Sequence, residues 1–148
     1  MSVINTITTI KEVHREYVLL VKIGNFYYCY GRDAYVVSYL LRYKINVIEK
    51  NIYACSFPQT AYNKVISTLE DKKVNYITLD KRNNYSVDEK SNNNNLNKYN
   101  EIYLKAKEEL ATKMRIEKIY KYLLDTKDKE IINEMEKLIN ERRKIQST

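Results

Sequence analysis

The stretch Lys22-Ile23-Gly24-Asn25-Phe26-Tyr27-Tyr28-Cys29-Tyr30-Gly31-Arg32-Asp33-Ala34 holds both glycines of a 148-residue chain, and they bracket a run of aromatic residues. Glycine serves where a backbone turns sharply or comes close to another group, so two here and none elsewhere frame one special segment. Side chains alternate across a strand with a period of two, which puts Phe26, Tyr28 and Tyr30 on one face and Tyr27 and Cys29 on the other. Such a row is either a core strand of a hairpin or a surface that stacks on, or wedges into, something flat. The residues alone leave both open.

Outward from this segment, Gly24-Asn25 is a hairpin turn signal joining strands at about 17–23 and 26–30. Asp33 reads as the N-cap of a helix over about 34–43, with Val36, Val37, Leu40 and Leu41 on its apolar face. Upstream, Ile7, Ile10 and Val13 space a short helix over 4–15, with Thr9 and Glu12 as a capping box if it begins late. Downstream come short strands at 46–48 and 52–57. Pro58 then suits the start of a helix over 58–71 that buries Ala61, Tyr62, Val65, Ile66 and Leu69. Strands at 74–79 and 85–87 close the sheet. The pattern predicts an α/β (α+β) domain over 1–88, built on a small mixed sheet with flanking helices.

Residues 89–100 form an Asn-rich linker too polar to bury itself, with its least ordered part expected near 91–97. Residues 101–148 follow as a helical hairpin or coiled-coil segment. Ile102, Ala106, Leu110, Met114, Ile119 and Leu123 mark its first helix. Asp125 or Thr126 caps the second, along which Ile131, Met135, Leu138, Arg142 and Ile145 step by four and three. Neither helix hides its stripe alone, so the hairpin is expected to pack on the domain or on a second copy.

A chain of this length holds one ordinary domain plus an appendage. Its apolar runs are too short to span a bilayer, and the N-terminus lacks a signal-peptide pattern. Cys29 and Cys55, with no export signal, read as buried reduced thiols of a cytoplasmic protein. The net charge of +7 invites nucleic acid as a partner. That charge is spread rather than focused: residues 1–90 carry 13 Lys/Arg against 9 Asp/Glu, and the remainder 13 against 10.

Enzyme motifs are nearly absent. Glycines only at 24 and 31 exclude a phosphate loop. His14, the single histidine, has no second ligand at metal-binding spacing, and a nucleophilic Cys29 or Cys55 lacks a histidine base other than His14. No catalytic residue, metal or cofactor is expected.

The segment resembles the N-terminal mismatch-recognition domain, domain I, of MutS-type DNA repair proteins. That family carries a hydrophobic strand, Gly-Asp-Phe-Tyr-Glu-Leu-Phe, then an acidic residue and Ala at a helix start. Here Val18–Ile23, Gly24-Asn25-Phe26-Tyr27-Tyr28-Cys29-Tyr30 and Asp33-Ala34 stand in those places. Ala54-Cys55-Ser56-Phe57-Pro58-Gln59-Thr60-Ala61 is similar to the family's Met-Ala-Gly-Ile-Pro-Tyr-His-Ala. The likeness runs over about residues 4–90. It implies that Phe26 wedges into the minor groove at a mismatch. The Glu that reads the displaced base is replaced by Tyr28, which has no carboxylate to offer. No counterpart of the family's clamp, lever and ATPase domains is expected in these 148 residues.

The resemblance therefore implies a stand-alone, non-enzymatic nucleic-acid-binding accessory protein, DNA favoured over RNA, with Phe26, Tyr28, Asn25, Lys22 and Arg32 as contacts. No membrane partner is expected; a protein partner or a second copy docks through 101–148. The alternative is a protein–protein adaptor that keeps the fold without DNA readout, such as an accessory to a reverse-transcriptase retroelement.

Overall fold

The computed structural model describes residues 2–49, 51–91 and 96–146. In chain order its elements are α1 (Val3–Val13), β1 (Val18–Ile23), β2 (Phe26–Tyr30), α2 (Arg32–Leu41), β3 (Asn46–Glu49), β4 (Ile52–Pro58), α3 (Tyr62–Asp71), β5 (Tyr76–Asp80), β6 (Ser86–Lys90), α4 (Tyr99–Thr126) and α5 (Lys129–Gln146). The strands form one mixed sheet in the order β3-β4-β2-β1-β5-β6. β1 and β5 run parallel and every other neighbouring pair is antiparallel. This is the α+β arrangement the strand and helix pattern predicts.

The hairpin at its centre follows from two residues. Gly24 has φ +64° while Asn25 stays out of the positive region, which is the II′ pattern that suits the twist of paired strands. Ile23 and Phe26 then face each other across the turn. Period two sorts the side chains. Val18 and Leu20 join Tyr27, Cys29, Cys55 and Phe57 under α2, α3 and the start of α4. Leu19 and Val21 meet Ile77, Leu79 and Ile7 of α1 on the opposite face.

Several local details differ from the sequence expectations. α1 begins earlier, because Ser2 caps it with an Oγ that accepts from the Asn5 N–H at 3.2 Å. Thr9 instead donates its hydroxyl to the Asn5 carbonyl one turn back, and Val13 points to solvent. α2 is preceded by Gly31 at φ +59°, so Asp33 is its second residue, not its cap, and its carboxylate is buried. Pro58 does not open a helix. It ends β4 opposite Phe26, at a pair where its own missing N–H is not called on because the next bond across comes from Gln59, and α3 starts only at Tyr62 after a 3-10 turn, Gln59–Ala61.

The chain divides into two compact units, 1–109 and 110–148. The first reaches past the expected boundary at 88. β6 extends to Lys90, inside the expected linker, and α4 begins at Tyr99. Residues 92–95 of that linker lie outside the described residues. Tyr99, Ile102 and Ala106 are buried, the first two of them in the core beneath the sheet.

In the second unit Lys127 takes φ +50° between α4 and α5. Asp128, rather than Asp125 or Thr126, caps α5 by accepting from the Ile131 N–H at 3.2 Å. Leu123, Ile131, Ile132 and Met135, next to this turn, are half-buried. None of α5 is fully buried, and Leu138 is 55% exposed. Among the described residues no helix is long and apolar enough to cross a membrane.

Candidate functional site

β2 carries two chemistries, one on each face. Tyr27 and Cys29 are core: Tyr27 stacks between Phe57 at 5.5 Å and Tyr62 at 4.9 Å. Burial pushes the Cys29 thiol well above its ordinary pKa, and its Sγ donates to the Cys55 carbonyl across the β2–β4 ladder. A buried thiol held protonated is a poor nucleophile.

Phe26, Tyr28 and Tyr30 form a continuous aromatic row on the other face. The Phe26 and Tyr28 rings lie 6.5 Å apart, and Tyr28 and Tyr30 lie 6.4 Å apart with planes only 11° from parallel. α1 covers only the β1–β5 side of this face, where Tyr30 packs against its cluster. Burial and the nearby Tyr28 hydroxyl push the Tyr30 phenol up to about 12, so it is neutral at physiological pH. Phe26 and Tyr28 belong to neither core cluster, and Phe26 is 44% exposed. Ser56 and Pro58 of β4 stand opposite Tyr28 and Phe26 on the same face.

The structure brings four of the five sequence-predicted contacts to one end of the sheet. Lys22 and Asn25 line a cleft of about 350 Å³ together with Gly24, Gln59, Asp80 and Arg82. Asn25 precedes Phe26 directly, and its carbonyl accepts from the Gln59 N–H at 2.9 Å. Arg32 stands apart. It follows the far end of β2, about 13 Å along the strand from Phe26 at some 3.3 Å per residue. Its guanidinium lies 4.3 Å from the Tyr103 ring centroid and donates to Asn100 of α4. Arg82 and Gln59 were not legible as site residues. They lie far from Lys22 and Asn25 in sequence, belong to no motif, and meet them only through strand pairing.

A second polar cluster lies inside the unit. Asp33, 1% exposed, accepts from Lys11 Nζ at 2.9 Å, from the Leu19 N–H at 3.1 Å and from the Tyr99 hydroxyl. Lys11 also donates to the carbonyls of Arg15 and Tyr17 at 2.8 and 2.7 Å. Burial pushes the Asp33 carboxyl up, against the opposing pull of Lys11, Tyr99 and the Leu19 amide. All the groups are partnered around a buried carboxyl, so the cluster ties α1, β1, α2 and α4 together.

Among the described residues no three His, Cys, Asp or Glu side chains converge as a metal site requires. A family model described as MutS domain I matches residues 2–99. No curated protein matches the chain.

Proposed function

The chain belongs to the MutS domain I family, and from that premise we propose that it is a non-enzymatic nucleic-acid-binding accessory protein of the cytoplasm, acting on DNA with no ATPase motif in these 148 residues. The observation that carries this reading is the half-exposed Phe26 at the head of the aromatic row, which with Tyr28 belongs to neither core cluster. An apolar ring pushed between base pairs costs a few kcal/mol of unstacking, least at a mismatch, and gains contact on the bent duplex. Tyr28 extends the platform by stacking, but a phenol cannot supply the carboxylate that reads the displaced base in the family. The protein therefore favours weak steps over particular bases.

With its charge spread rather than focused, this chain is expected to bind duplex weakly, with Kd of roughly 10⁻⁴ to 10⁻⁶ M at physiological salt. Titrating mismatched, perfect and single-stranded oligonucleotides at two salt concentrations tests the reading. Mismatched duplex should bind most tightly. Tyr28→Glu should sharpen that preference while weakening overall affinity, because it adds a base acceptor and a repelling charge. Equal binding of all three ligands by wild type and variant would remove mismatch preference from the account.

A second observation favours a protein partner beside the DNA. Met114, Ile116, Ile119, Leu124, Leu138 and Ile139 are all substantially exposed in the single chain. Pairing of this segment with a second copy joins two weak sites, and effective concentration then raises avidity without new DNA contacts. Leu110→Asp with Leu138→Asp should lower the solution mass measured by sedimentation equilibrium, since a charge in an apolar seam is strongly disfavoured. The α/β unit should keep its melting transition. An unchanged mass in the double variant rules out this seam. If wild type ignores every oligonucleotide while this segment still captures a partner, the adaptor reading takes its place.

A further inference from the structure

The cleft beside the β1–β2 turn is built from three separate stretches of chain: the end of β1 with its turn, the residue after β4, and the end of β5 with the 3-10 turn Lys81–Asn83. Hydrogen bonds fix each wall. The Gln59 N–H holds the turn through the Asn25 carbonyl at 2.9 Å, and the Tyr85 N–H closes the far loop onto the Asp80 carbonyl at 2.8 Å. Lys22 and Asp80 occupy paired positions on the parallel strands β1 and β5, yet no ion pair joins them. Asp80 is engaged elsewhere, its Oδ1 accepting from the Arg82 backbone N–H at 2.9 Å. Among the described residues, none of the ion pairs contains Lys22 or Arg82. Lys11 and Arg42, by contrast, are both paired.

Two cations without carboxylate partners therefore face a polar cleft at the end of the sheet that carries Phe26; Lys22 and Asp80 stand on the Tyr27 face and Phe26 on the other, and the turn residue Asn25 joins the two. We propose that this cleft holds a phosphodiester of the strand whose bases Phe26 unstacks, with Lys22 and Arg82 as its cationic contacts and the Asn25 and Gln59 amides as neutral donors. The proposal rests on the nucleic-acid reading above and adds where the backbone is gripped. A volume of about 350 Å³ lies at the small end of ligand sites, enough for a phosphate with part of its sugar. Phosphate contacts fix register without reading sequence, which is what a wedge needs to be held at one step. Asp80 opposes the anion in part, so the cleft binds with less strength than its two cations alone would give.

The test is a salt-dependent titration of mismatched and perfect duplex with four proteins: wild type, Phe26→Ala, Lys22→Gln/Arg82→Gln and Asp80→Asn. The double variant should weaken both duplexes alike, and the slope of log affinity against log salt should fall by about two. Asp80→Asn keeps an acceptor for the Arg82 N–H and removes the opposing charge. It should tighten binding about threefold, roughly the effect of one weak charge contact, and a gain of affinity cannot arise from misfolding. Phe26→Ala should leave the slope unchanged. Inorganic phosphate, compared with chloride at equal ionic strength, should not displace the duplex; displacement would assign the cleft to a free anion and overturn the proposal. A double variant and Asp80→Asn that both titrate like wild type, while Phe26→Ala fails to bind, sink the cleft and leave the wedge standing. If wild type binds no duplex at all, both fall together.

Discussion

Phe57→Ala should destabilise the first unit by about 3–5 kcal/mol, a large part of the 5–15 kcal/mol that holds a typical domain. The ring is 2% exposed, lies 5.5 Å from Tyr27 and 6.0 Å from Tyr43, and sits in the cluster under the helices. Its removal leaves a void among neighbours fixed by strand pairing, so little collapse can repair the loss. The chain has only one other phenylalanine, Phe26. The strands place the two rings on opposite faces: Tyr27 opposes Phe57, and Phe26 opposes Pro58. Phe26→Ala should therefore cost less than about 1 kcal/mol, as surface substitutions do. Urea unfolding followed by circular dichroism measures both. Equal losses for the two would mean that Phe26 is a core residue.

Asp33→Ala should cost about 3–5 kcal/mol, because it strips Lys11 of its carboxylate and Tyr99 and the Leu19 amide of their acceptor in a buried site. Asp33→Asn should cost clearly less, since burial already favours the neutral carboxyl. The sign of the pH dependence follows. A folded pKa raised above its ordinary 3.8 stabilises the fold most below 3.8, and that contribution is lost as pH rises through the folded value. On raising pH through that window, wild type should lose stability relative to Asp33→Asn. A wild type that gains on the variant over the same window would show that Lys11 outweighs burial.

The β1–β2 hairpin was legible because its signals are local: a glycine that takes positive φ and an alternation of period two that sorts Phe26 from Tyr27. Asp33 misled for the opposite reason. An acidic residue near a helix start reads as a cap, but its partners Lys11 and Tyr99 lie far along the chain and recruit it inward. Pro58 read as a helix start, where its missing N–H costs nothing, but pairing with Phe26 puts it at the end of β4. Tyr99 sat in a polar stretch that reads as linker, although it is fully buried. The cleft had no sequence signal, because Lys22, Gln59 and Arg82 meet only once the sheet is assembled.

The central claim is that Phe26 is a contact residue for duplex nucleic acid. Its most direct test is a fluorescence-anisotropy titration of a single-mismatch duplex with wild type and Phe26→Ala at about 50 mM salt, where phosphate contacts are least screened. The account predicts binding by wild type and a loss of about 1–3 kcal/mol in the variant, with its melting transition nearly unchanged. Equal affinity of the two folded proteins, or no binding by wild type at this salt, would contradict it.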